Sequence, residues 1–287
     1  EHPISIEGSS HTQRWRIPAV RTLAIVALVP VLAALVIYFL TIRFRNTTPP
    51  RAIKNFTFTQ LTDQPGPEFF PTLSPDGRSV AYANRATGNW DIYVQRVGGR
   101  NPINLTKDSP ADDSQPAFSP DGERIAFRSE RDGGGIYLMG ATGESLVRVS
   151  DLGYSPSWSP DGKQIAVSSR DAKEAVVWVY DLSGTTSPRR LTFGGLNRFP
   201  VWSGDSQRVA FQSDREGDQA IFVQRADGNG PAERLTAPAQ GISHVPDSWS
   251  PDGEHLLFTE FKGTTEISSW ILSTRDKKVS PFGDIRS

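Results

Sequence analysis

Pro156-Ser-Trp-Ser-Pro-Asp-Gly-Lys-Gln-Ile-Ala-Val167 is written, with variations, five times along the chain. The other copies are Pro71-Thr-Leu-Ser-Pro-Asp-Gly77 running into Val80-Ala-Tyr82, Pro116-Ala-Phe-Ser-Pro-Asp-Gly122 into Ile125-Ala-Phe127, Pro200-Val-Trp-Ser-Gly-Asp-Ser206 into Val209-Ala-Phe211, and Ser250-Pro-Asp-Gly253 into Leu256-Leu-Phe258. Their turn aspartates are Asp76, Asp121, Asp161, Asp205 and Asp252, a period of 40 to 47 residues. A period of that size marks a repeat architecture, and the four-stranded propeller blade is its leading candidate.

Each full module parses into four strands. A short inner strand ends at Phe118, Trp158 or Trp202 of the P-x-[WF]-S motif, and a Ser-Pro-Asp-Gly turn follows. Proline presets φ in such a turn and glycine supplies φ > 0. The second strand carries a small residue five positions after the turn aspartate (Ala81, Ala126, Ala166, Ala210), between Val, Ile, Phe or Tyr neighbours. Both of its faces are candidates for burial, as in a sheet stacked between sheets. An aromatic sits centrally in the third strand (Tyr93, Tyr137, Trp178, Phe222, Trp270), and a Gly- or Asp-rich turn leads to the outermost one. The modules fall near 68–106, 115–150, 155–192, 199–236 and 245–282.

Upstream, residues 1–21 are polar with scattered charge and read as a linker. From Thr22 to Ile42 there are 21 uncharged residues, with Leu23–Leu40 apolar throughout and Pro30 inside. At about 1.5 Å per residue this run reaches roughly 31 Å, one hydrocarbon core, so the sequence predicts one transmembrane helix over 22–42. A signal peptide would have a shorter apolar region and a small-residue cleavage site, and an all-round apolar helix has no place in a β-repeat domain. Arg14, Arg16 and Arg21 on one flank against Arg43, Arg45, Arg51 and Lys54 on the other lean, by one charge, towards a cytoplasmic C-terminal side. Residues 43–55 form a spacer.

Phe56-Thr-Phe-Thr-Gln-Leu-Thr62 alternates like a strand, and its ending matches Asn104-Leu-Thr106, Arg190-Leu-Thr192 and Arg234-Leu-Thr236, which close their modules. It reads as an orphan closing strand. Five modules plus this strand imply an all-β propeller truncated from six or more blades, with 56–287 as its domain. Glu1 and the lone methionine, Met139, fit a piece of a longer chain.

Among 287 residues, Lys+Arg is 31 against Asp+Glu 32, so no charge excess draws the chain to nucleic acid. With no cysteine, disulfides and thiolate metal sites are excluded.

The pattern P-x-[WF]-S-P-D-G, [IV]-A-[FY], S-x-R-[DE]-G, I-[YF]-[VL], R-L-T resembles the TolB-like, WD-repeat-like propeller family over about 56–283. Module four departs from it, with Gly204 and Ser206 for the Pro and Gly of the turn, and module five inserts one residue in Pro246-Asp-Ser-Trp-Ser. Linker, helix, spacer and propeller together resemble the C-terminal, extracytoplasmic part of bacterial membrane-spanning serine/threonine kinases, and also membrane-bound winged-helix regulators with a propeller sensor. The resemblance implies a single-pass inner-membrane protein with a periplasmic, non-catalytic propeller that binds a protein or small-molecule ligand. Its effector domain would lie before Glu1. The alternative is the propeller of a membrane-anchored serine peptidase whose catalytic domain follows Ser287.

No catalytic motif occurs within the chain. G-x-S-x-G is absent, and Gly241-Ile-Ser-His244 lacks the closing glycine; the kinase loops are absent too, and Pro281-Phe-Gly283 lacks the Asp of D-F-G. His2, His11, His244 and His255 have no metal-binding spacing, so neither metal nor cofactor is expected. One aspartate per module on the same turn reads as structural. Arg85, Arg131, Arg170 and Arg215 recur nine or ten residues past the turn, as hairpin salt bridges or as a collar for anions. Binding specificity belongs to the irregular connections on the same rim as those hairpins. They carry Glu68, Asp112, Asp113, Tyr154, Asn197, Arg198 and His244.

Overall fold

The propeller is built from five antiparallel sheets, each of four strands taken in sequence order. The structure is a computed structural model that describes residues 59–169 and 174–286. Blade one is β1 (Glu68–Leu73), β2 (Ser79–Asn84), β3 (Asp91–Arg96) and β4 (Ile103–Asn104). Blade two is β5 (Asp113–Phe118), β6 (Arg124–Ser129), β7 (Gly135–Gly140) and β8 (Val147–Ser150). Blade three is β9 (Tyr154–Trp158), β10 (Gln164–Ser168), β11 (Val177–Asp181) and β12 (Arg189–Arg190). Blade four is β13 (Asn197–Trp202), β14 (Arg208–Ser213), β15 (Ala220–Arg225) and β16 (Glu233–Arg234). Blade five is β17 (Ile242–Trp249), β18 (His255–Lys262), β19 (Glu266–Ser273) and β20 (Val279–Arg286).

The repeated turn earns its aspartate by hydrogen bonding. In blade one the Ser74 hydroxyl donates to Asp76 at 2.6 Å, the Arg78 amide donates to the same carboxylate at 3.0 Å, and the Ser79 amide donates to the Ser74 hydroxyl at 2.9 Å. Ser119–Asp121, Ser159–Asp161, Ser203–Asp205 and Ser250–Asp252 repeat the arrangement. The serine hydroxyl holds the Asp76, Asp121 and Asp252 carboxyls below their ordinary range. Blade four keeps the turn despite its departures, because Ser206 adopts φ +58, the region held by Gly77, Gly122, Gly162 and Gly253. Gly204 has its own reason: a Cβ there would stand 2.7 Å from the Pro251 carbonyl oxygen of blade five. Restoring the repeat's proline by Gly204→Pro is therefore expected to cost about 1–3 kcal/mol, the range for overpacking, and a urea midpoint unchanged or raised would refute this.

Each inner strand has a bulge. Pairing slips between Phe69 and Thr72, Ser114 and Ala117, and Arg198 and Val201, and again within β9 and β17. In the first four blades the residue before the motif proline takes the left-handed conformation: Phe70, Gln115, Ser155 and Phe199, at φ +51 to +56. The slip in blade five lies between Pro246 and Ser248, which absorbs the inserted Asp247.

Cores form between blades. The small face of one second strand receives the aromatic face of the next blade: Ala81, Ala83 and Ile92 meet Ile125, Phe127 and Tyr137, and Ala166, Val177 and Leu191 meet Trp202, Phe211 and Phe222. Ala126 and Ile136 likewise meet Trp158 and Ile165, and Ala210 and Ile221 meet Leu256 and Phe258. Indole N–H groups bridge the same joints, Trp158 to the Ala117 carbonyl at 3.0 Å and Trp202 to the Ser157 carbonyl at 3.1 Å. The buried threonines of the closing motif accept a third-strand amide proton in blades one, three and four: Thr106 from Ile92, Thr192 from Val177 and Thr236 from Ile221, at 2.9–3.0 Å.

The expected closing strand at 56–62 differs. Residues 59–62 form no strand, and 56–58 lie outside the described residues. Blade five takes β20 as its own fourth strand, and among the described residues no sheet pairs with 59–62; the Leu61 carbonyl accepts the Gln95 side-chain amide at 2.9 Å. The apolar run 22–42 also lies outside the described residues, among which no helix is long and apolar enough to cross a membrane.

Candidate functional site

Because every blade runs inner strand first, the starts of β1, β5, β9, β13 and β17 share one rim with the hairpins between second and third strands. Four of the seven residues singled out from sequence prove equivalent. Glu68, Asp113, Asn197 and His244 each pair with the residue eight past the turn aspartate: Asn84, Ser129, Ser213 and Glu260. Tyr154 pairs one position further on, with Ser168, in the place that Arg198 occupies opposite Gln212.

Three of the equivalent residues are buried and latch blade to blade. The backbone amides of Asp113, Asn197 and His244 donate to the carbonyls of Trp90, Ala175 and Gln219 in the preceding blade, at 2.7–2.9 Å. Their side chains differ in chemistry. Asp113 accepts from Arg131 Nη2 at 2.5 Å, with its Oδ1 left unpartnered; burial pushes its carboxyl up, against the pull of Ser129 and Arg131. Asn197 donates to the Ala175, Gly194 and Gly195 carbonyls and accepts from Arg215 at 2.7 Å. His244 Nε2 stands 3.3 Å from Glu260, with its ring 4.9 Å from Phe258. Glu68 is half-buried and accepts from the Thr62 hydroxyl.

The remaining three sit nearer solvent. Asp112 is exposed and accepts the Trp90 amide proton at 2.9 Å. Tyr154 is half-buried beneath the Arg128 guanidinium, 4.5 Å above its ring, and Arg198 is half-buried too. The arginine repeat resolves into two classes. Arg131 and Arg215 turn inwards onto Asp113 and Asn197, whereas Arg85 is exposed and bonds to the Gly88 carbonyl; Arg170 lies outside the described residues. Arg131 and Arg215 are therefore engaged in fixing the strand starts of their own blades, which leaves no ring of free guanidinium groups for an anion among the described residues.

The rim also carries a feature that sequence reading passed over. Phe69, Phe70, Phe193 and Phe199 are 37–66% exposed, in a protein whose other aromatics mostly fill the joints. The available signal was an aromatic directly before the motif proline, in Phe70-Pro71 and Phe199-Pro200. Between blades one and two a cleft of about 700 Å³ is lined at one end by Thr106, Ser109, Arg131 and Asp132.

Catalytic chemistry finds little here. The Ser243 hydroxyl accepts the Gln212 amide at 3.1 Å. Asp252, Glu254 and His255 come together as a three-ligand group, all exposed, with Asp252 already engaged by its turn. The arrangement can present aromatic and charged side chains to a partner surface.

Known proteins share that architecture. A 51-residue stretch is 43% identical to the Tol-Pal system protein TolB of Chromobacterium violaceum, covering 18% of this chain and 11% of that protein's length. The fold is similar to a TolB-type structure from Agrobacterium tumefaciens, with TM-score 0.66 and 23% identity over 78% of this chain and 82% of that one. It is also similar to TolB from Acinetobacter baumannii, with TM-score 0.62 and 26% identity over 75% and 53%. The family model described as the TolB beta propeller domain matches residues 40–155 and 151–280. With repeats, turns, joints and that match all covering the same residues, the chain belongs to the TolB β-propeller domain family.

Proposed function

We propose that this propeller is a non-catalytic binding scaffold that recognises a protein through the rim bearing the inner-strand starts. The observation that carries the reading is the set of exposed phenylalanines, Phe69, Phe70, Phe193 and Phe199. Exposed aromatics are the usual anchors of protein interfaces. Arg198, Asp112 and Tyr154 supply polar chemistry beside them, while Asp113, Asn197 and His244 act from behind by fixing the strand starts. Family membership supports a scaffold role.

The finer reading places the propeller in the periplasm, tethered through residues 22–42 as the extracytoplasmic part of a signalling protein such as a receptor-type serine/threonine kinase. The uncharged 21-residue run supports it. Protease added to spheroplasts should then digest the propeller, and protection equal to that of a cytoplasmic marker would overturn the topology.

Rim recognition is tested by placing a photo-crosslinking residue at Phe193 or Phe199, and in parallel at the exposed Arg78 or Lys163 on the opposite rim. Discrete protein adducts are expected at the first pair alone. Equal yields at both pairs, or none at either, would remove the rim from consideration.

A further inference from the structure

The joint between blades four and five differs from its counterparts in one chemical respect. Blade two secures its strand start with Asp113 against Arg131, and blade four with Asn197 against Arg215. Neither arrangement contains an imidazole, the side chain whose ordinary pKa lies nearest neutrality. Blade five uses His244, 6% exposed, in the same place. Its Nε2 faces Glu260 at 3.3 Å, and its Nδ1 is buried with no hydrogen-bond partner. Its amide and carbonyl tie it to blade four, through the Gln219 carbonyl at 2.9 Å and the Gln212 side-chain amide at 2.9 Å.

The charged groups facing the imidazole come from three elements. Glu260 lies on β18, Asp218 on the β14–β15 hairpin and Arg234 on β16. Arg234 is itself held by Asp218 at 2.5 Å and Glu216 at 2.8 Å, so Asp218 is partly neutralised. Apart from these charged groups, Phe258 stands beside the ring, and Ala210, Ile221 and Leu256 fill the same joint.

We propose that His244 is a pH-sensitive latch, which holds blade five on blade four while neutral and releases it as the imidazole gains a proton. The physical cause is burial, because a charged ring in this joint gives up hydration that Glu260 only partly replaces. Burial accordingly pushes the His244 pKa below 6.5. In the open joint the ring is hydrated and titrates near 6.5, so protons bind the open form better. Opening then rises as pH falls below about 6.5, by at most about tenfold per unit for a single proton, and levels off beneath the pKa of the closed joint.

Hydrogen exchange of the full chain between pH 7.5 and 4.8, corrected for intrinsic rates, reads this directly and needs no rim ligand. Desolvation pushes the Asp247 carboxyl on β17 up to about 6, which favours the closed form as pH falls, so the reference and all variants carry Asp247→Asn. Protection in β17–β20 should then fall several-fold from pH 6.5 to 5, while blades one to three fall less. His244→Asn, which copies blade four's side chain, should abolish that fall. Glu260→Gln keeps the imidazole but removes the carboxylate that favours its charge, and should deepen the fall. An identical blade-five profile in the reference and His244→Asn would overturn the latch, as would equal loss of protection in every blade. Should His244→Asn fold poorly, Glu260→Gln decides alone: an unchanged or shallower fall refutes the proposal.

Discussion

Replacing Arg131 with alanine is expected to cost about 3–5 kcal/mol, the penalty for leaving a buried carboxylate without its charge partner. Asp113 has a fully buried side chain, and its Oδ2 accepts from Arg131 Nη2 at 2.5 Å. The guanidinium stands over the Phe127 and Tyr137 rings and donates to the Ser109 hydroxyl, so its removal takes away a charge partner held in place from several sides. The neutral variant Asp113→Asn in the Arg131→Ala background should recover part of the loss, as the stranded charge is then gone. Arg85→Ala, at the exposed equivalent position, should stay within about 0.5 kcal/mol of wild type. Repeat rings can open blade by blade, so urea unfolding is best followed by exchange in β5–β8. A loss below about 1 kcal/mol on Arg131→Ala would mean that the pair is solvated in solution.

A loss of similar size is expected for Phe211→Ala, for a different reason. Phe211 is fully buried where blades three and four meet, stacked on Phe222 at 6.4 Å and covered by the Arg215 guanidinium at 5.3 Å. Truncation removes a large apolar contact and leaves a cavity that rigid neighbouring strands cannot fill, typically about 3–5 kcal/mol for Phe→Ala. Phe193→Ala, two-thirds exposed, should change stability by no more than about 0.5 kcal/mol while weakening any rim adduct. Equal destabilisation by both substitutions would contradict the burial pattern.

Much of this was legible before any coordinate. The Ser-Pro-Asp-Gly turn reads as structural from sequence because its hydrogen bonds span two to five residues, as between Ser119, Asp121 and Arg124. The second strands read as doubly buried from Ala126 between Ile125 and Phe127, and all three are fully buried. The rim was legible only as a set of loop positions. That Asp113 meets Arg131 and Asn197 meets Arg215 was hidden, since each pair is 18 residues apart. Hairpin salt bridges and an anion collar therefore both stayed open, with nothing to separate Arg131 and Arg215 from exposed Arg85. Residues 59–62 form no strand although their Gln-Leu-Thr ending copies a closing one, because strand pairing depends on a neighbour that a local motif does not reveal.

What the amino-acid order settled alone is the blade: turn, alternation and aromatic placement act over a few residues, and the chain states them five times. The tertiary structure alone decided which side chains became joints and which became surface. Phe199 and Phe211 are similar in sequence terms, yet one is exposed and the other sealed. The difference lies in stacking, because a residue's burial in a propeller is set by the face of the next blade, some forty residues away, as when Trp202 reaches the Ser157 carbonyl.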